Sequence, residues 1–221
     1  MHRVLRDHSL TIVMFSLFVI FLIAQSLTGM RTYNQDQREH EQATAGYIDY
    51  LQSGHFVEAT FENWESEYLQ MGVYVLLTAF LVQRGSAESK KPEGDNPSDE
   101  NPRGQEGKPD APWPVRQGGI ILVLYEYSLT IALLLAFVVC FILHAMGGAR
   151  HYSAEQLAHG GQAVSTLDFL RTSQFWFQSF QNWQSEFLAV GSLAVLSIYL
   201  RQKGSPQSKP VAAPQSQTGE S

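Results

Sequence analysis

The chain has 221 residues, 44% hydrophobic and 16% charged, with a net charge of −6 at neutral pH and a mean hydropathy of −0.13. That average resembles a soluble protein, but the apolar residues fall in four blocks between polar stretches, which excludes a sizeable water-soluble core. The acidic balance leaves no basic face for nucleic acid, and a lone cysteine inside an apolar block, Cys140, excludes a disulfide framework or a cysteine zinc site.

Residues 9–29 form a charge-free apolar run long enough to cross about 30 Å of hydrocarbon as a helix. Arg3, Arg6 and the small-residue run Ala24-Gln25-Ser26 would also suit a signal peptide, but the apolar stretch exceeds the ~7 to 15 residues typical of one. The second span is predicted over residues 64–83. Its apolar block is short, so the helix is expected to begin before Asn63, where Phe56, Thr60, Trp64 and Tyr68 recur at about one turn and bring an aromatic stripe to the membrane interface. Residues 85–119 are rich in Pro, Gly, Ser and charge and read as a disordered linker. A third span follows over 128–148 and a fourth over 183–201, its helix starting before Asn182; the tail, 204–221, has the linker's composition.

Sliding the sequence by 119 positions aligns residues 7–90 with 126–209 without a gap, at about one-third identity. The match pairs Gly29-x-Arg31-x-Tyr33 with Gly148-x-Arg150-x-Tyr152, His40 with His159, and Asp49 with Asp168. It also pairs Phe61-x-Asn63-Trp64-x-Ser66-Glu67 with Phe180-x-Asn182-Trp183-x-Ser185-Glu186. Two spans per unit is an even number, so both copies enter the membrane in the same direction. The expected fold is an all-α membrane protein: four transmembrane helices as two tandem parallel hairpins, residues 1–84 and 120–203, with short amphipathic helices in the outer loops, 30–63 and 149–182. Placing both termini and the linker on one side gives that side 11 of the 15 Lys and Arg residues, so the positive-inside rule sends the termini to the cytoplasm and the loops outward.

The run Ser53-Gly54-His55-Phe56, then Phe61-Glu62-Asn63-Trp64-Glu65-Ser66-Glu67-Tyr68-Leu69-Gln70-Met71-Gly72, ending in Gln83-Arg84-Gly85-Ser86-Ala87-Glu88-Ser89-Lys90, resembles a family of small bacterial membrane proteins known only as a domain of unknown function. The resemblance covers most of both repeats, the second more loosely. It implies a multi-pass protein of the bacterial inner membrane and no particular activity.

Candidate functional or structural residues are Asn63, Trp64, Glu67, Asn182, Trp183, Glu186, Arg31 and Arg150. The tryptophans suit an aromatic belt or a groove for lipid, and the asparagines a cap or an interhelical hydrogen bond. Glu67 and Glu186 sit at the edge of hydrocarbon, where a carboxylate needs a partner, a proton or a wet lining; Arg31 and Arg150 are natural ion-pair partners. The additional acidic stripe Glu58, Glu62, Glu65 is expected to be a solvated face. Gln25 and His144 occupy matching positions suited to tying helices together. His40, His55, His151, His159, Asp49 and Asp168 are the only conceivable metal set, without HxxxH or HExxH spacing, so no metal and no cofactor is expected. No catalytic motif is found. The expected role is a non-catalytic envelope component that contacts membrane lipids, a membrane-protein partner or a second copy of itself. The alternative is a small oligomeric transporter or channel with Glu67 and Glu186 lining its pathway.

Overall fold

A computed structural model describes residues 2–94, 96–105 and 107–219, with side chains from Leu5 onward. Among the described residues there is no strand. The α-helices are α1 (His2–Asp7), α2 (Ser9–Glu39), α3 (Tyr47–Leu51), α4 (Gly54–Thr78), α5 (Trp113–Gln117), α6 (Gly119–Glu126), α7 (Ser128–Ala158), α8 (Thr166–Phe169) and α9 (Ser173–Tyr199). The elements α2, α3 and α4 recur at the repeat offset as α7, α8 and α9.

Helices α2 and α7, 31 residues each, are long and apolar enough to cross a membrane by length and composition. Only 6% and 17% of their apolar windows are buried within the molecule. Both continue about ten residues beyond the predicted spans, so the first part of each expected outer loop is a polar helical extension. The reason lies in the sequence: neither 30–41 nor 149–159 contains the Gly or Pro that would end a helix. Both helices then close with the same Schellman pattern. Gln42 N–H donates to the Gln37 carbonyl and Gly161 N–H to that of Gln156, each at 2.7 Å. The turning residue is left-handed in both, Glu41 at φ 55° and Gly160 at φ 76°.

Helices α4 and α9 begin at Gly54 and Ser173, well before the Asn-Trp motif. They run for 25 and 27 residues, roughly 37 to 40 Å, with polar N-terminal halves. They end at Thr78 and Tyr199, short of the predicted limits at 83 and 201. Past those ends the repeat persists in the turns: Gln83 N–H donates to Ser89 Oγ at 2.8 Å and Gln202 N–H to Ser208 Oγ at 2.9 Å.

The chain forms two compact units, one of residues 1–61 and 142–176, the other of 62–141 and 177–221. Each draws on both repeats. In the first unit the ring of Tyr50 lies over Gly29 and that of Phe169 over Gly148, so glycine recurs there because no Cβ fits beneath the ring. Helices α4 and α7 meet backbone to backbone at Gly54 and Gly147: a Cβ on Gly54 would stand 2.7 Å from the Gly147 carbonyl, and one on Gly147 2.5 Å from Glu58 N.

In the second unit the linker and tail, expected to be disordered from composition, are tied by hydroxyls and backbone. Gly85 N–H donates to Thr218 Oγ1 at 2.8 Å, Gly219 N–H to the Ser86 carbonyl at 2.9 Å, and the hydroxyls of Ser86 and Ser197 bond at 2.9 Å. The Lys209 ammonium, in a residue only 1% exposed, donates to the carbonyls of Gln215 and Gln217 at 2.9 and 3.0 Å.

Candidate functional site

The first unit concentrates the titratable chemistry. The polar extensions of α2 and α7 bring His40 and His159 together, ring centroids 5.8 Å apart and edge to face. Each histidine lies at the C-terminus of its helix and donates from Nδ1 to the carbonyl four residues back, His40 to Asp36 at 3.0 Å and His159 to Glu155 at 2.8 Å. A carbonyl can only accept, so Nδ1 of each ring carries a proton. Repeat mates line a pocket of about 490 Å³ here: Tyr33 with Tyr152, Asp36 with Glu155, Gln37 with Gln156, His40 with His159. Among the described residues no Lys or Arg lines it.

His151 joins the pocket to a buried chain. Its Nδ1 bonds Glu58 Oε2 at 2.6 Å, and its Nε2 lies 3.5 Å from Glu155 Oε1. The His55 ring packs edge to face on His151 with centroids 5.0 Å apart, and His55 Nδ1 bonds the hydroxyl of the buried Tyr50 at 3.2 Å. The two imidazoles are pushed in opposite directions. Burial, then the charge of His151, lowers the His55 pKa against smaller opposing pulls from Glu58 and Asp36. Burial also lowers that of His151, but the hydrogen bond and charge of Glu58, with Glu155 and Asp36, outweigh it and leave the value raised. His151 is therefore the charged member and His55 the neutral one over a window around 6.5, the ordinary histidine value.

The acidic stripe expected to be solvated is a packing face instead. Glu58 is 4% exposed and Glu65 fully buried. In the first unit Glu58 meets His151; in the second Ser179 Oγ donates to Glu65 Oε1 at 3.0 Å, and Asn182 donates to Glu62. The stripe of one repeat therefore faces polar groups of the other. Sequence spacing marks a helical face but does not name what covers it.

The motif residues are spread out. Asn63 and Glu67 are exposed, while Trp64, Trp183, Asn182 and Glu186 are half-buried. The Asn carbonyls matter locally: Ser66 Oγ donates to that of Asn63 at 2.7 Å and Ser185 Oγ to that of Asn182 at 2.8 Å, which accounts for the N-W-x-S spacing in both copies. The Trp183 ring packs on Phe137 and Phe180. Arg31 and Arg150 are exposed. Gln25 Nε2 reaches Thr60 Oγ1 at 3.5 Å, and His144, fully buried, stacks on Phe175 with centroids 4.8 Å apart. Of the conceivable metal set, His40 pairs with His159 and His55 with His151, while Asp168 is engaged by Ser165 and Arg171. Among the described residues no group of three or more His, Cys, Asp or Glu is placed to hold a metal.

A model of the protein family described as "Domain of unknown function (DUF6766)" matches residues 1–220. No curated protein and no solved structure matches the chain.

Proposed function

The chain belongs to that family of unknown function, and we propose that it is a non-catalytic, four-span component of the bacterial inner membrane, with termini and linker cytoplasmic and the loops 30–63 and 149–182 outward. The observation that carries this reading is the apolar surface of α2 and α7, whose spanning windows are only 6% and 17% buried within the molecule. An apolar surface of that extent needs lipid or another membrane protein to cover it. In this reading helices α4 and α9 complete the hairpins, each having the length of a crossing when its polar N-terminal half is counted. In this arrangement the partners are membrane lipids and a membrane protein or second copy, held by packing rather than turnover.

The test is single-cysteine labelling in a Cys140→Ala background. Cysteines at Asp49 and Asp168 label from outside intact cells with an impermeant thiol reagent, and one at Ser98 only after permeabilisation. Labelling of 49 and 168 from opposite sides sinks the parallel-hairpin topology.

One observation favours a second reading, an oligomeric transporter with Glu67 and Glu186 in its pathway. Glu65, inside the motif between Trp64 and Ser66, is a carboxylate fully buried in a helix read as spanning, and intramembrane carboxylates commonly mark ion routes. In proteoliposomes this reading requires ion flux that falls in a Glu67→Gln, Glu186→Gln double variant; equal leak for both proteins removes it.

A further inference from the structure

We infer that the pocket between the C-terminal extensions of α2 and α7 is a binding site for a small organic ammonium, held by Asp36 and Glu155 and bordered by Tyr33 and Tyr152. Its volume, about 490 Å³, falls in the range of small-molecule sites. Asp36 and Glu155 give it two carboxylates, and among the described residues no Lys or Arg side chain lines it, so with His151 neutral the field inside favours a cation. Tyrosine rings add faces on which an ammonium is stabilised. A bare metal ion is a poor match, because no three ligating groups converge among the described residues. An ammonium needs only acceptors and a negative potential, both of which the lining supplies.

The repeat explains why such a site exists. Tyr33 and Tyr152, and Asp36 and Glu155, are mates at the repeat offset, so the duplication sets two copies of one half-site against each other. The facing titratable groups make occupancy pH-dependent. His40 Nδ1 lies 3.5 Å from Asp36 Oδ1, and His151 Nε2 lies 3.5 Å from Glu155 Oε1. His159 stands against His40, while Glu58 and His55 lie behind His151. Protonation of His151 places positive charge beside Glu155, so acid weakens ammonium binding. The same chemistry comes from two sources, a free amine such as a diamine or the ethanolamine headgroup of a lipid.

The experiment is calorimetric titration of the full chain in phosphatidylcholine nanodiscs at pH 8 with putrescine and with ethanolamine, repeated at pH 5. Saturable binding is expected at pH 8, weakened at least about tenfold at pH 5 and about tenfold in an Asp36→Asn, Glu155→Gln double variant. An Asp36→Glu variant, which keeps the charge, retains most of the affinity. Both carboxylates are about half exposed, so the variants keep the wild-type thermal transition. Phosphatidylethanolamine in the nanodisc either competes with the free amine, which supports the site with a headgroup as its source, or has no effect, which supports it with a soluble amine. No saturation up to about 10 mM amine, or unchanged affinity in the double variant, overturns the inference.

Discussion

The two repeat-derived halves of the first unit share a skeleton and differ in chemistry. In both, a ring covers a glycine, Tyr50 on Gly29 and Phe169 on Gly148. In both, a helix side chain pins the returning loop: Asn34 exchanges hydrogen bonds with the backbone of Ala45 at 2.7 and 2.9 Å, and Ser153 does the same with Val164 at 2.9 and 3.2 Å. Yet His55 and Glu58 of the first copy correspond to Gln174 and Phe177 of the second, and His151 of the second to Thr32 of the first. The acid–imidazole chain therefore exists once. Duplication preserved the residues that shape the backbone and freed those that do not, so a symmetric scaffold carries an asymmetric charged seam.

The largest expected effect breaks that asymmetry at its tightest point. Gly147 has Thr28 as its mate, an exposed residue whose hydroxyl bonds the Ala24 carbonyl. A Gly147→Leu variant forces α4 off α7 and costs about 3 kcal/mol, read as a lowered unfolding midpoint in detergent. The same side chain at position 28 changes the midpoint little.

Glu58→Gln removes the charge that holds His151. The loss is about 1.5 to 3 kcal/mol near pH 6. A raised folded-state pKa contributes stability that is fully present below the unfolded value of about 6.5 and fades as pH rises through the folded value. The penalty of Glu58→Gln should accordingly shrink at alkaline pH; a penalty independent of pH would show that the pair is not ionic.

His55→Gln copies the second repeat's residue and tests the opposite sign. The lowered His55 pKa means that the folded state binds its proton less readily than the unfolded chain, so the wild type loses stability as pH falls from about 6.5 through the folded value. The variant should lose less over that interval, visible as a flatter midpoint-versus-pH curve on the acid side. At pH 8 the two proteins should differ only by the lost contact with Tyr50.

Glu41→Gly has the smallest effect and the opposite direction. Glu41 holds the left-handed position that Gly160 fills in the second copy, so the exchange relieves strain and stabilises by about 0.5 to 1 kcal/mol. No gain in the midpoint would mean that Glu41 is held by something other than the turn.

Much of this was legible in sequence because the repeat carries the backbone constraints in pairs. Gly29 and Gly148, the starts of α4 and α9 ahead of the Asn-Trp motif, and the helix–helix tie from Gln25 all follow from spacing. The polar extensions of α2 and α7 were obscured because polarity was read as loop, although no residue there interrupts a helix. The seam was hidden for a different reason: Glu58, Glu62 and Glu65 look solvated when the partners, His151, Asn182 and Ser179, lie roughly 90 to 120 residues away. The aligned pairs His40–His159 and Asp36–Glu155 were the available signal for the pocket, since mates in a duplicated fold meet where the copies face each other.

The account rests on the two copies meeting through His40 and His159. Cysteines at these positions in the Cys140→Ala protein, with a protease site in the linker, allow a direct test by short bifunctional thiol cross-linking in membranes. The rings lie 5.8 Å apart, so the cleaved halves should remain joined in one monomer-sized species. Halves that separate, or that join only as a dimer of chains, would contradict the pairing of the repeats.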